Sequence, residues 1–230
     1  MYFQHSSDIW RDFPALVPGV LLVSDVSSET PVRDQVAALY ESADARLAAA
    51  TEGEMPEIQA WRRAFSTMGL KPTQYRCASE SLLRRYRKER SLPEIHPLID
   101  LCNAVSLAYA VPIAVFDLAK VTDHLEVGYA KGTESYLTFS GETETAPEGE
   151  VVFVDGADQA HARRWTNRQS GLSSIQPGTR SALIVTEALH ESAPADVERL
   201  LETLTRELSA HWTVAAKPAV LSASAPRYDF

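Results

Sequence analysis

The sequence predicts one mixed α/β domain in which helices pack around a mixed β-sheet. Three observations support this prediction. Helical apolar periods dominate residues 31–109, short apolar runs bounded by turn residues dominate residues 112–154, and no internal repeat or long linker divides the chain. With 230 residues, 45% of them hydrophobic and 23% charged, the chain can bury a large core without disulfides or metals. We therefore expect a single packed unit.

The first half of the chain predicts one strand followed by four helices. The strand is expected at residues 16–26, where an apolar run follows a Pro-Gly bend. Proline, glycine and polar breaks then mark the ends of helices at residues 31–50, 57–68, 78–87 and 95–109.

The second half is richer in strands. Apolar runs predict strands at residues 112–116, 125–130, 135–139, 151–154 and 182–186, with a polar loop at 141–149. Residues 157–180 are polar and have no strong period, so we expect a helix stub and a loop there. A final amphipathic helix begins at Pro194.

Both ends of the chain are expected to lie outside the domain. The run Tyr2-Phe3-Gln4 resembles the remnant of a protease-cleavable tag, so the predicted boundaries are 1–7 for a tag remnant, 8–215 for the domain and 216–230 for a loosely held tail. No signal peptide, membrane-spanning apolar run or disulfide framework is evident, which favours a cytoplasmic protein. The oligomeric state stays open.

Motifs for cofactor or metal chemistry are absent from the sequence. There is no glycine-rich phosphate loop and no nucleophile elbow, and the six histidines and two cysteines have no metal-type spacing. We therefore expect neither a cofactor nor a metal. Asp155-Gly156 follows an apolar run and predicts a tight turn, although a catalytic carboxylate at that place is the alternative.

A basic stretch at residues 61–90 stands out from the acidic whole. The net charge is −9, which argues against a nonspecific polyanion binder and against DNA, yet this stretch has nine cations and two acids. Arginine forks suit the phosphates of a nucleic-acid backbone. The RNA-binding candidates are Arg76, Arg84, Arg85, Arg87 and Lys88. The alternative is a solvated face that pairs with the protein's own acids.

A second polar segment combines charge with an aromatic ring. Residues 160–171 read AHARRWTNRQSG, in which Arg163 and Arg164 offer guanidinium groups for a phosphate or carboxylate, and Trp165 offers a surface for stacking. Loops of this composition often line sites. The alternative is a surface loop pinned by one tryptophan.

The segment HPLIDLCNAVSLAYAVPIAVFD, which begins at His96, resembles a motif of a known family. In that motif a helix carrying an asparagine precedes a Pro-x-x-x-Phe-Asp strand, matched here by Asn103, Pro112 and Phe116. GEVVFVDG and RSALIVTEAL resemble later strands of the same family. Residues 70 to 190 thus resemble the tRNA-editing B3/B4 domain of the phenylalanyl-tRNA synthetase beta subunit. The resemblance implies that fold, and a free-standing protein that binds the aminoacylated 3′ end of tRNA and hydrolyses mischarged esters in trans.

The resemblance also implies a site, with departures from the family. Ala114 stands where the family commonly has a histidine, Cys102 where it often has a threonine, and the 163–170 segment where it has a glycine-rich loop. The predicted catalytic residues are Asn103, Arg163 and Gln169. The predicted substrate-binding residues are Cys102, Pro112, Ala114, Arg164, Trp165, Asn167, Ser170 and Glu187. A non-catalytic RNA or amino-acid binding module is the alternative, whereas a peptide-bond or thioester hydrolase lacks a nucleophile–base pair.

Overall fold

A computed structural model describes residues 1–230. Six α-helices are present: α1 Ser7–Asp12, α2 Arg33–Ala49, α3 Pro56–Thr67, α4 Ala78–Glu89, α5 Pro97–Tyr109 and α6 Ala193–Ser209. Thirteen strands are present: β1 Tyr2–His5, β2 Val17–Ser24, β3 Ile113–Asp117, β4 His124–Tyr129, β5 Ser135–Leu137, β6 Thr143–Thr145, β7 Val151–Asp155, β8 Ala160–Arg163, β9 Arg168–Gln169, β10 Ser181–Ala188, β11 Thr213–Val214, β12 Ala219–Val220 and β13 Arg227–Asp229.

The first sheet has six strands in the order β13-β1-β4-β7-β8-β9. Only β1 and β4 run parallel, with Phe3 opposite Leu125, and every other pair is antiparallel. The sheet therefore joins both ends of the chain to its middle.

The two end segments lie inside the fold, contrary to the boundaries expected at residues 7 and 216. Phe3 and His5 point inward and are buried, as the two-residue period of a strand requires. Near the other end, Leu221 and Tyr228 are buried, and β12 and β13 pair with β2 and β1. These apolar contacts and backbone pairings hold segments that composition alone does not mark as structural.

The second sheet is built around β10. This strand is buried along almost its whole length and pairs antiparallel with β2 on one side and β3 on the other. Helix α6 packs closely against β2 at Gly19. A Cβ at this position would lie 2.8 Å from side-chain atoms of Val197 in α6 and of Thr186 in β10. The glycine thus permits an approach that any larger residue would prevent.

Two large apolar clusters form the core. One contains buried aromatic rings from α3, both sheets and the 164–167 turn, among them Trp61, Phe116, Phe153 and Trp165. The other fills the space between β10 and helices α5 and α6. The mixed α/β class with helices around mixed sheets is confirmed. None of the helices combines the length and apolarity needed to cross a lipid bilayer.

The prediction for residues 157–180 is wrong. Instead of a helix stub, the segment forms strands β8 and β9, and the loop expected at 141–149 contains β6. All four residues of β8 are buried, including His161 and Arg163. Because these polar side chains bond to partners inside the protein, the strand lacks the apolar pattern that identifies most buried strands.

Candidate functional site

A small cleft gathers six of the predicted site residues. It lies where β3, β10 and the turn between β8 and β9 meet the start of α4, and its volume is about 60 Å³. The predicted residues on its wall are Pro112, Ala114, Trp165, Asn167, Gln169 and Glu187. The structure therefore brings together residues that are up to 75 positions apart in the sequence.

A buried carboxylate forms part of the cleft wall. Glu187 is 2% exposed, and its Oε1 lies 2.7 Å from the indole Nε1 of Trp165 and 2.6 Å from Nε2 of His5. Its backbone oxygen accepts a hydrogen bond from Nε1 of Trp61. Oε2 accepts no hydrogen bond and is open to the cleft. The carboxylate is thus fixed at one oxygen and free at the other.

The turn that carries Trp165 is conformationally strained. Arg164 and Trp165 have φ angles of +48° and +57°, a left-handed region that costs a non-glycine residue about 1 kcal/mol or more. The indole is fully buried, with its ring centroid 4.8 Å from that of Phe13 and 5.0 Å from that of Trp61. Burial of the ring offsets the backbone cost and directs the indole N–H at Glu187.

Two amides and a hydroxyl complete the polar lining. Asn167 donates its amide N–H to the backbone oxygen of Arg76 at 2.7 Å, and Gln169 donates to that of Val115 at 2.6 Å. Neither amide oxygen has a hydrogen-bond partner. The hydroxyl of Thr166 is buried without a partner. The cleft therefore presents mainly acceptor oxygens, a set that suits an amino or hydroxyl group.

The basic stretch begins at the rim of this cleft. Ala78, the first residue of α4, lines the cleft and donates its backbone N–H to the backbone oxygen of Thr166. Leu83 and Tyr86 are buried, whereas Arg84, Arg85 and the other candidate cations of α4 are exposed. Helix α4 thus has a packed face and a basic face.

Most cations of this stretch are paired with carboxylates. Glu80 is fully buried and pairs with Arg62 at 2.7 Å and Arg76 at 3.4 Å, while the buried Glu52 lies 3.3 Å from both Arg84 and Arg87. The exposed Glu89 and Asp44 take two further arginines. Six of the nine cations thus pair with four carboxylates, and Arg63, Lys71 and Lys88 pair with none. The pairing with the protein's own acids expected by the alternative interpretation is present, and a positive surplus remains, so contact with RNA stays a prediction.

Other predicted site residues lie outside the cleft. Arg163 is buried in β8, where burial acts to lower its pKa but hydrogen bonds and charge from Glu150 and Glu144 outweigh this and raise it. Arg164 packs over the ring of Tyr75 at 4.9 Å. Ser170 is buried and donates its hydroxyl to a backbone oxygen of β5. These contacts hold Arg163, Arg164 and Ser170 within the fold, so the structure does not bring the three side chains to the acceptor oxygens of the cleft.

Asn103 and Cys102 lie on α5, away from the cleft. Cys102 belongs to the second apolar cluster, and burial raises the pKa of its thiol to about 12. Asn103 lines a separate open groove of about 960 Å³ between the start of α2 and the 91–97 segment. Asn103 and Pro112, which the family resemblance groups in one pocket, thus lie in different depressions here.

Two other polar clusters have structural explanations. The carboxylate of Asp155 accepts hydrogen bonds from the backbone N–H groups of Ala157 and Gln159 in the turn that it begins, which agrees with the predicted turn, and from that of Thr122. Glu57, His190 and Asp196 place possible ligand atoms within 4.8 Å of one another. Arginines from α2 and α6 pair with these two carboxylates, and both acids lie in first turns of helices, so the cluster is an ion network.

Sequence reasoning missed three residues of the site. His5 falls in the expected tag remnant, and the run from Tyr2 to His5 has no alternation of apolar and polar residues that would mark a strand. Trp61 and Thr166 carry no signal beyond their residue types. The role of Trp61 depends on a hydrogen bond to Glu187, 126 positions away in the sequence. That of Thr166 depends on a buried hydroxyl without a partner.

Comparisons with known proteins agree with one another. The model of the B3/4 domain family matches residues 60–212. The phenylalanine–tRNA ligase beta subunit of Coxiella burnetii is 31% identical over 96 residues, and that of Shewanella oneidensis is 26% identical over 88 residues, covering 42% and 38% of this chain. The chain covers 11% of each of these relatives, about a tenth of their length.

A solved structure is also similar. The crystal structure of an N-terminal fragment of the phenylalanyl-tRNA synthetase beta subunit from Pyrococcus horikoshii aligns with a TM-score of 0.48 at 10% sequence identity. The alignment covers 94% of this chain and 49% of that one.

Proposed function

The chain belongs to the B3/4 domain family, and from this premise we propose that it binds the aminoacylated 3′ end of a tRNA and hydrolyses a wrongly attached amino acid in trans. One observation carries the proposal. A cleft with free acceptor oxygens, at Glu187, Asn167 and Gln169, lies at the first residue of a helix with a basic outer face. An aminoacylated tRNA end has the complementary chemistry, because an ammonium and ribose hydroxyls stand beside a chain of phosphates.

In this proposal the cleft holds the amino-acid end of the ligand. The free Oε2 of Glu187 accepts from the α-ammonium, and the amide oxygens of Asn167 and Gln169 accept from the ammonium, a ribose hydroxyl or the attacking water. The new C–O bond forms from water, the bond to the ribose oxygen breaks, and that oxygen leaves with a proton given up by the attacking water.

No residue of the cleft is placed as a strong general base. An aminoacyl ester is already activated, so a positioned water, stabilisation of the oxyanion and help from a neighbouring ribose hydroxyl are the contributions required. Burial raises the pKa values of Cys77 and Cys102 to about 11 and about 12, so neither thiol is suited to act as a nucleophile.

The size of the cleft limits the substrate. A volume of about 60 Å³ is well below the roughly 300 Å³ at which pockets for whole small molecules begin. The amino-acid head and a small side chain fit this space, whereas the adenosine must lie outside it. We therefore propose that esters of small amino acids are the preferred substrates, and that the phosphates follow α4 past Arg84, Arg85 and Lys88.

The test is a deacylation panel. Purified protein is incubated with tRNAs carrying each amino acid, matched and mismatched, and release is compared with the uncatalysed rate. We expect faster release from at least one mischarged tRNA with a small amino acid, and loss of that acceleration in Glu187→Gln. No acceleration with any member of the panel rejects the hydrolytic function.

A non-catalytic binding module is the second candidate. The small cleft and Ala114, which stands where the resemblance would place a histidine, favour this reading. Filter binding of tRNA at several salt concentrations separates the cases when it is run beside the panel. Salt-dependent binding without turnover supports the module, and binding that ignores salt excludes contact with the RNA backbone in both readings.

A further inference from the structure

His5 lies behind the cleft rather than on its wall. It is the last residue of β1, paired in register with Val127 of β4, so the backbone on both sides of its side chain is held by the sheet. The imidazole is fully buried and packs edge-on against the rings of Phe3 and Trp10. This segment precedes the residues that the B3/4 family model matches, so the contact adds a group from outside the matched region.

The hydrogen-bond pattern identifies which nitrogen of His5 is the donor. Nε2 lies 2.6 Å from Oε1 of Glu187, and Nδ1 is buried with no partner. A proton on Nδ1 would leave a buried N–H without an acceptor, which is costly, whereas a bare lone pair there is tolerated more easily. The tautomer with the proton on Nε2 satisfies the structure, and His5 therefore donates to Glu187.

Two donors then converge on a single oxygen. Nε2–H of His5 and Nε1–H of Trp165 both point to Oε1 of Glu187, and both donors are fixed by packing. With Oε1 saturated, rotation of the carboxyl group would break two hydrogen bonds. The remaining oxygen, Oε2, is therefore the one presented to the cleft.

We propose that His5 is a positioning residue, which fixes Glu187 so that Oε2 binds the α-ammonium of the aminoacyl group. The proposal rests on the proposed function for the identity of the ligand, but not on turnover. Removal of the Nε2–H donor leaves Oε1 held by Trp165 alone, and the carboxylate loses its single orientation. Ligand binding then weakens while the fold persists, because β1 keeps its backbone pairing and its buried Phe3.

A pair of amide variants separates this role from a merely structural one. In His5→Gln the side-chain N–H reaches the place of Nε2, whereas in His5→Asn it reaches only the place of Nδ1. Both variants are uncharged and differ by one methylene. Thermal unfolding of both variants and of the wild type checks that the fold is kept.

The readout is an NMR titration with a ligand that cannot be hydrolysed. The probe is adenosine carrying alanine through a 3′-amide in place of the ester, chosen because the cleft admits a small side chain. The chain has four tryptophans, and Trp165→Phe identifies which indole N–H resonance reports on Glu187. In the free protein, this resonance is expected to move in His5→Asn and to stay close to its wild-type position in His5→Gln.

For binding, we expect the probe Kd to rise at least about tenfold in His5→Asn and to stay within about threefold of wild type in His5→Gln. If the protein hydrolyses esters, His5→Asn raises the KM for the ester with little change in kcat. Wild-type binding in His5→Asn, equal loss in both variants, or no binding by the wild type overturns the role of His5. Binding of the probe by a wild type that hydrolyses nothing rejects the hydrolytic function alone and leaves the role of His5 to the variants.

Discussion

The buried pairing of Glu80 makes a quantitative prediction about the basic helix. Glu80 lies in the first turn of α4 and is fully buried, and it accepts hydrogen bonds from Nη2 and Nε of Arg62 at 2.7 and 3.2 Å. Arg76 lies 3.4 Å away. The change Glu80→Gln keeps the volume of the side chain and removes the charge to which both arginines are paired.

The size of the effect follows from burial. Hydrogen bonds to charged groups contribute about 1.5–3 kcal/mol, and a carboxylate in the first turn of a helix adds about 0.3–1 kcal/mol. The side chains of both arginines are 31% exposed and can rehydrate, so we take the lower part of this range. A loss of about 2–3 kcal/mol corresponds to a fall in Tm of about 4–12 °C for a chain of this length.

Glu89→Gln is the matched control. It removes one carboxylate from the same helix and changes the net charge equally, but Glu89 and its partner Arg85 are both exposed. An exposed pair of this spacing is worth about 0.3–0.5 kcal/mol, so the Tm should fall by less than about 2 °C. Thermal unfolding followed by circular dichroism measures both variants. Equal Tm values for the two variants would refute the reasoning that burial makes Glu80 the anchor.

Three further predictions concern charge and pH. Replacing Arg85 and Lys88 by alanine leaves every buried carboxylate paired, so the fold is kept. Because two phosphate contacts are lost, the salt dependence of tRNA binding, measured by filter binding, should have a slope shallower by about 1.5. An unchanged slope would contradict contact between these residues and the RNA. Burial raises the pKa of Cys77 to about 11 and of Cys102 to about 12, so stability is fully present below their usual value of 9.0 and falls as pH rises through these values. A thiol reagent near pH 8 should therefore label only unfolded protein, and fast native labelling would contradict this. Burial acts to raise the pKa of Asp155, but the imidazole of His161 3.3 Å away and hydrogen bonds from backbone N–H groups outweigh it and lower the pKa below 3.8, so stability is present above that value and lost as pH falls. Asp155→Asn should cost about 1–3 kcal/mol in urea unfolding near pH 7, with the gap to wild type closing in acid; a gap that ignores pH would argue against this.

Helices α2 to α6 were predictable from the proline, glycine and polar breaks that bound them and, in the clearest cases, from apolar residues that recur with the helical period, whereas α1 was not predicted. Helix α4 shows this, since Leu83 and Tyr86 pack while Arg84, Arg85 and Lys88 point outward. Strand β10 was equally clear, because a strand buried on both faces is a continuous apolar run.

Among the strands that the sequence did not predict, β8 was hidden by polar residues with internal partners. His161 and Arg163 in β8 are buried, and hydrogen bonds to Ser173 and Glu150 compensate for their lost solvation. Sequence patterns do not report such distant partners. The same limit applies to β1, whose four residues gain their structure by pairing with β4 and β13.

The cleft was partly predictable, since residue chemistry and the family resemblance pointed to Pro112, Trp165 and Glu187. The position of Asn103 was not, because it depends on which face of α5 turns to the groove. His5 joins the site only through the sheet, at 182 positions from Glu187. A contact of that range leaves no local pattern in the sequence.

The most direct test of the central claim is the rate at which the purified protein releases amino acids from mischarged tRNAs. We expect release faster than in buffer from at least one tRNA carrying a small amino acid, with the acceleration lost in Glu187→Gln and kept in His5→Gln. Release no faster than in buffer across all amino acids, or an unchanged rate in Glu187→Gln, would contradict it.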